Sequence, residues 1–178
     1  MKPALLLLLL LPLQPLRAQK TFDTRKATTG QLTPAAFDSL KQHLTRYSDG
    51  PLRDTLFLKF DFNRESCWNR LDEQGNEHNR SFVANKQRRM ADMRAARTGA
   101  SFIELREPGK RFNKLKSFDS TIKTDDGYLR ALLFRKRATC GTSALILPSG
   151  QYILLPGDPH FEVRYWDRAT IEAVLDRK

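Results

Sequence analysis

The sequence predicts a single α/β domain built on a mixed sheet of about four strands flanked by helices. Three observations lead there. Asp54 to Phe62 alternates as a strand does, with Leu56, Leu58, Phe60 and Phe62 on one side and Thr55, Phe57, Lys59 and Asp61 on the other. Segments of helical spacing lie before it (Phe37, Leu40, Leu44, Tyr47) and after it (77 to about 97). Near the end an apolar run, Ala144 to Leu147, meets Pro148-Ser149-Gly150 and a returning run, Gln151 to Leu155. Strands separated by helices pair in parallel, and the closing hairpin makes the sheet mixed.

The first residues are set apart from this domain. Met1-Lys2-Pro3, the apolar run Ala4 to Leu11 and a proline-broken stretch ending at Ala18 are the three parts of an export signal. The run is well short of the ~20 apolar residues that span a bilayer. Cleavage near Ala18 is therefore expected, giving a secreted or periplasmic chain, and it takes Lys2 and Arg17 from a formal charge of +11. No cysteine follows the cut to carry a lipid. Residues 19–32, rich in Thr and poor in large apolar side chains, read as a flexible leader, and residues 33–178 as the domain.

Within the domain, Thr33 caps the first helix and Pro34 suits its first turn; Asp49-Gly50-Pro51 ends it. The strand Asp54 to Phe62 should bury its Leu/Phe face and half-bury the other. A polar turn then runs into a short helix reaching Leu71, broken by Gly75-Asn76. The helix from Glu77 presents Phe82, Val83, Met90, Met93 and Ala96 inward and ends at Gly99. Ser101 to Leu105 is the second strand. Lys110 to Thr124 fits either a helix or irregular packing. Asp125-Asp126 opens a helix carrying Leu129, Leu132 and Leu133, with Arg135, Lys136 and Arg137 in its last turn. After the hairpin, Phe161 to Trp166 is strand-like, and Asp167 caps a terminal helix with Ile171, Val174 and Leu175 inward.

Two patches resemble the thioredoxin-like superfamily. Gly141-Thr142-Ser143-Ala144-Leu145-Ile146-Leu147, a turn, Gly150-Gln151-Tyr152-Ile153 and a final helix are similar to that family's Gly-x-cis-Pro, strand, turn, strand and closing helix. The strand Leu56 to Phe62 followed by Cys67 resembles the one leading into its Cys-x-x-Cys pair. The resemblance implies a thioredoxin-like sheet, but Arg70 stands where the second redox cysteine belongs and Ser143 where the cis-proline belongs. A dithiol oxidoreductase needs a resolving thiol beside its nucleophile, so standard dithiol activity is not expected.

Cys67 and Cys140 are the two cysteines, and in an exported chain an even count points to a bridge. The family geometry implies that their loops meet. Three readings stay open: a structural disulfide, a relocated redox couple in which Arg64 or Arg70 lowers the Cys67 pKa, and two free thiols.

The remaining candidates define no reaction. His43, His78 and His160 lack the spacing of a metal site, and His43 reads as a helix-edge residue. Asp125-Asp126-Gly127 lacks the remaining ligands of a calcium loop and reads as a turn and cap. Ser143 has no Gly-x-Ser-x-Gly setting. No metal or cofactor is expected, and an enzymatic role is not favoured. Arg88, Arg89 and Arg97 on one helix, and Arg135, Lys136 and Arg137 on another, are the candidate contacts for an anionic polymer or an envelope protein; nucleic acid is not expected. The same charges also suit an ordinary solvated surface.

Overall fold

The computed structural model describes residues 22–63, 67, 71–109 and 118–177. Their order is β1 (Thr28–Gln31), α1 (Pro34–Leu44), β2 (Thr55–Asp61), α2 (Asn76–Ala96), β3 (Ala100–Arg106), β4 (Lys123–Thr124), α3 (Tyr128–Leu132), β5 (Thr142–Ile146), β6 (Gln151–Pro156) and α4 (Arg168–Leu175), with short 3-10 turns between some of them. The export signal, residues 64–66 and 68–70 on either side of Cys67, and the stretch 110–117 lie outside the described residues.

The chain forms one α/β domain on a mixed sheet ordered β1-β6-β5-β2-β3-β4. β2 pairs in parallel with β3 and antiparallel with β5, which in turn pairs antiparallel with β6. The sheet has six strands rather than about four, because two short edge strands join it. Thr28–Gln31, inside the expected leader, pairs antiparallel with β6 from Thr28↔Leu154 to Gln31↔Gln151. Lys123–Thr124 pairs in parallel with Leu105 and Arg106. Neither carries an apolar pattern. An edge strand two to four residues long gains its order from backbone pairing and leaves little trace in side-chain periodicity.

The central strand is buried on both faces. Leu56, Leu58, Phe60 and Phe62 meet α1 through Leu40 and Leu44 and α3 through Leu129. Phe57 lies on the opposite face with Phe102, stacked at 4.9 Å, and with Met90 of α2, Trp166 and Val174 of α4. The second face was expected to be half-buried, yet Lys59 on it is only 5% exposed. A parallel strand in mid-sheet is covered by crossover helices on both sides, so alternation at such a position separates two interiors.

Three further elements differ from expectation. Arg135, Lys136 and Arg137 follow α3, which stops at Leu132, although Arg135 Nε reaches back to the Ala131 carbonyl at 2.8 Å. Phe161 to Trp166 is a 3-10 turn rather than a strand: the Asp158 carboxylate accepts from the Glu162 and Val163 amides at 2.7 and 3.4 Å and winds the chain there. The α2 C-cap is Arg97 rather than Gly99, its amide donating to the Met93 carbonyl at 2.9 Å.

Deleting residues 19–31 tests β1. Four cross-strand pairs at about 0.2–1 kcal/mol each give an expected loss of about 1–4 kcal/mol in urea unfolding. A silent deletion would mean that the segment is a leader after all.

Candidate functional site

The loop following β2 and the turn entering β5 come together at the carboxyl end of β2, and Cys67 and Cys140 join them. Their sulfurs are 2.13 Å apart and their Cα atoms 4.6 Å apart, across 73 residues of chain. Cys140 is buried and Cys67 half-buried. The turn is unusual in backbone as well: Cys140 and Gly141 follow one another in left-handed conformation, at φ 63° and 72°. A side chain on Gly141 would collide with the Lys59 ammonium, the Asp61 carboxylate and the Phe60 carbonyl, so position and conformation both demand glycine. The peptide bond before Ser143 is trans.

Lys59 holds this turn from below. Its Nζ donates to the Cys140 carbonyl at 2.6 Å and lies 3.2 Å from Asp61 Oδ1. A buried ammonium is costly unless its protons are taken, and here a carbonyl and a carboxylate take them.

The sheet register extends this pair into a charged layer on the same face. Lys59 lies opposite Glu104, and Asp61 opposite Arg106, which is 1% exposed. Glu104 pairs with Lys86 of α2, whose Nζ also meets Asp119 Oδ2 at 2.9 Å. Asp119, fully buried, further accepts from Thr121 Oγ1 at 2.5 Å and from Gln87 Nε2 at 3.2 Å. Burial alone would push the Asp119 pKa up; the Lys86 ammonium and the donated hydrogen bonds outweigh it and hold the carboxyl below its usual value. Burial likewise disfavours the Lys86 charge, and Glu104 and Asp119 reverse that, so its pKa is raised.

A second polar cluster sits between α1 and α3. His43 Nε2 is 3.4 Å from Asp126 Oδ1 and 3.7 Å from Asp125 Oδ1, and the ring stacks on Tyr128 at 4.2 Å. His43 is buried rather than at a helix edge, because Tyr47 and Tyr128 close over it. His43, Asp125 and Asp126 have the composition of a cation site. The space is already claimed: Arg46 Nη2 contacts the imidazole and bonds Asp126 Oδ2 at 2.9 Å, while Asp125 accepts the Gly127, Leu129 and Arg130 amides at 3.1 to 3.2 Å. The cluster is a closed ion-pair network that caps α3. Burial, ahead of the opposing Asp126 charge, lowers the His43 pKa and favours the neutral ring.

The basic candidates do not converge. Arg88 and Arg89 are exposed on α2, but Arg97 turns inward, donating to the Trp166 carbonyl at 2.8 Å with its guanidinium 5.5 Å from the Phe57 ring. Lys136 is exposed on the segment before β5, whereas Arg137 bonds the Asn63 carbonyl at 2.7 Å and pairs with Glu107. Sequence reading missed Lys59, Asp61, Lys86, Glu104 and Asp119. The available signal was two opposite charges, i and i+2, on one face of a strand whose other face is wholly apolar.

No helix among the described residues is long and apolar enough to cross a membrane. Comparison of the chain with family models, curated proteins and solved structures found no match.

Two substitutions check this geometry. Lys59→Met should cost about 3–5 kcal/mol in chemical denaturation by leaving Asp61 and the Cys140 carbonyl unsatisfied, and adding Asp61→Leu should recover a large part. Asp119→Asn should cost about 3 kcal/mol at neutral pH. A carboxylate whose folded pKa is depressed stabilises fully above its unfolded value near 4, and the gain disappears as pH falls through the lower folded value. The difference between wild type and Asp119→Asn should therefore shrink below about pH 4; a difference flat with pH would show that Asp119 carries no charge in the native state.

Proposed function

We propose that the chain is an exported, thioredoxin-like domain that has given up dithiol exchange and serves as an interaction module of the cell envelope, with the Cys67–Cys140 bridge as a structural clamp. The observation that carries this reading is the place of the bridge. It ties the loop after β2 to the turn before β5, the two segments that in the resembling family frame a redox-active pair, and the Cys140 half of it is buried over the Lys59–Asp61 pair. The central order β6-β5-β2-β3, with β5 antiparallel to β2, supports the thioredoxin-like reading. Arg70 in place of a neighbouring thiol supports the loss of dithiol exchange, and the signal-like residues 1–18 support export.

A clamp and a redox couple respond differently to thiols. The mature protein should show no labelling by a thiol reagent without reductant, and glutathione should leave the bridge intact. Replacing both cysteines by alanine should cost about 4 kcal/mol, as expected for closing a loop of this length. Ready reduction by glutathione, with reoxidation of the same pair, would instead make Cys67 and Cys140 a redox couple.

A further inference from the structure

We propose that the open edge of β3 takes an extended, acidic segment of a partner protein as an added strand. A cavity of about 680 Å³ is lined by five consecutive residues of that strand, Ala100 to Glu104. Successive strand residues point to opposite faces of a sheet, so five in a row can share one cavity only if it runs along the edge.

The ladder shows which backbone groups face it. The Glu107 amide donates inward to the Asp61 carbonyl at 2.9 Å, while the Arg106 carbonyl accepts outward from the Asp125 amide at 2.8 Å. In parallel pairing, alternate residues turn both their groups the same way. The amides of Phe102 and Glu104 therefore turn outward, in step with Arg106. β4 covers only Leu105 and Arg106, and no described strand lies beside Ala100 to Glu104. Three outward groups already have partners: the Ala100 amide donates to the Arg97 carbonyl at 3.1 Å, Arg94 approaches the Phe102 carbonyl at 3.4 Å, and the parallel register with β4 gives the Glu104 carbonyl to the Lys123 amide.

The walls flank the edge on both faces of the sheet. Lys86, Met90 and Arg94 of α2 rise over one face of the sheet, and Tyr47 to Pro51, with Arg53, over the other. Lys86 is neutralised by Glu104 and Asp119. Arg53, Arg94 and Lys123 form no ion pair among the described residues, and with Lys86 they set four cations in the lining against the three carboxylates of Asp49, Glu104 and Asp119. This net positive lining beside outward-turned backbone amides is complementary to an acidic strand: the backbone supplies the affinity of strand addition, and the rim supplies the choice of charge. An anionic polymer without amides would use the charges alone. The inference names the partner for the interaction role proposed above and depends on that reading for the role only.

The test uses the mature, bridged protein and fluorescent short peptides: one alternating Glu and Val, one alternating Lys and Val, and the Glu/Val peptide N-methylated at alternate residues so that one edge cannot donate. The Glu/Val peptide should bind at least about tenfold tighter than either control. It should slow hydrogen exchange at the Phe102 and Glu104 amides, and R53E/K123E should reverse the charge preference. Equal affinity for both charges, tolerance of N-methylation in both registers, or no saturation up to about 1 mM would each overturn the proposal, and tolerance with retained charge preference would point to an anionic polymer. Thiol labelling of the same sample separates the outcomes, since a labile bridge would sink the clamp and leave the peptide result standing.

Discussion

A lysine ammonium in the middle of a sheet is the constraint around which this molecule is arranged. Lys59 is carried into the interior because β2 is the central strand and both its faces are roofed. Once there, its charge has to be met without water. Asp61, two residues on along the same face, supplies one partner, and the Cys140 carbonyl supplies the other. That carbonyl faces the ammonium where the chain passes through two left-handed residues, and the second of these is glycine because any side chain would collide with the pair it covers. The bridge then fixes the turn that the lysine holds.

The same logic explains how α2 is attached. It runs from Asn76 to Ala96, yet only Asn79, Val83 and Met90 along it are buried. So thin an apolar stripe is a weak mooring for a long helix. Lys86 adds a directional one: between Glu104 of β3 and Asp119, it binds helix, strand and the segment leading to β4 through three charges. Removing any one partner leaves the others buried and unmatched, so the layer acts as a unit.

How much of this could be read beforehand follows from the kind of signal each part leaves. The central strand, the first two helices and the closing hairpin were legible, because burying large side chains at regular spacing writes itself into the sequence: Leu56, Leu58 and Phe60 are such residues, and so are Leu40, Leu44, Val83 and Met90. β1 and β4 were not, since Thr28–Gln31 and Lys123–Thr124 are placed by backbone pairing. Phe161 to Trp166 misled because its apolar residues suit a strand, whereas its path is set by Asp158, three residues earlier. The meeting of the two cysteines was anticipated from their even count in an exported chain and from a family resemblance. The lysine beneath them was not, because a charge on the second face of an alternating strand looks like solvent exposure until the helix above it is placed.

The two edges of the sheet show what the N-terminal segment and the charged walls accomplish together. An uncovered edge invites pairing with any other chain, and folded proteins blunt it in some way. The β6 edge is closed by β1, which is short and polar. Among the described residues the β3 edge is paired only at its carboxyl end, by β4, and Ala100 to Glu104 lie in a recess between α2 on one face and Tyr47 to Pro51 on the other. Walls on both faces hinder the approach of a second sheet, which brings neighbouring strands with it, more than that of a single extended backbone. Arg53, Arg94 and Lys123 leave its lining with one positive charge in excess, which favours an anionic segment over a cationic one. The features that protect this edge against indiscriminate pairing are therefore the same ones that would decide what may bind there.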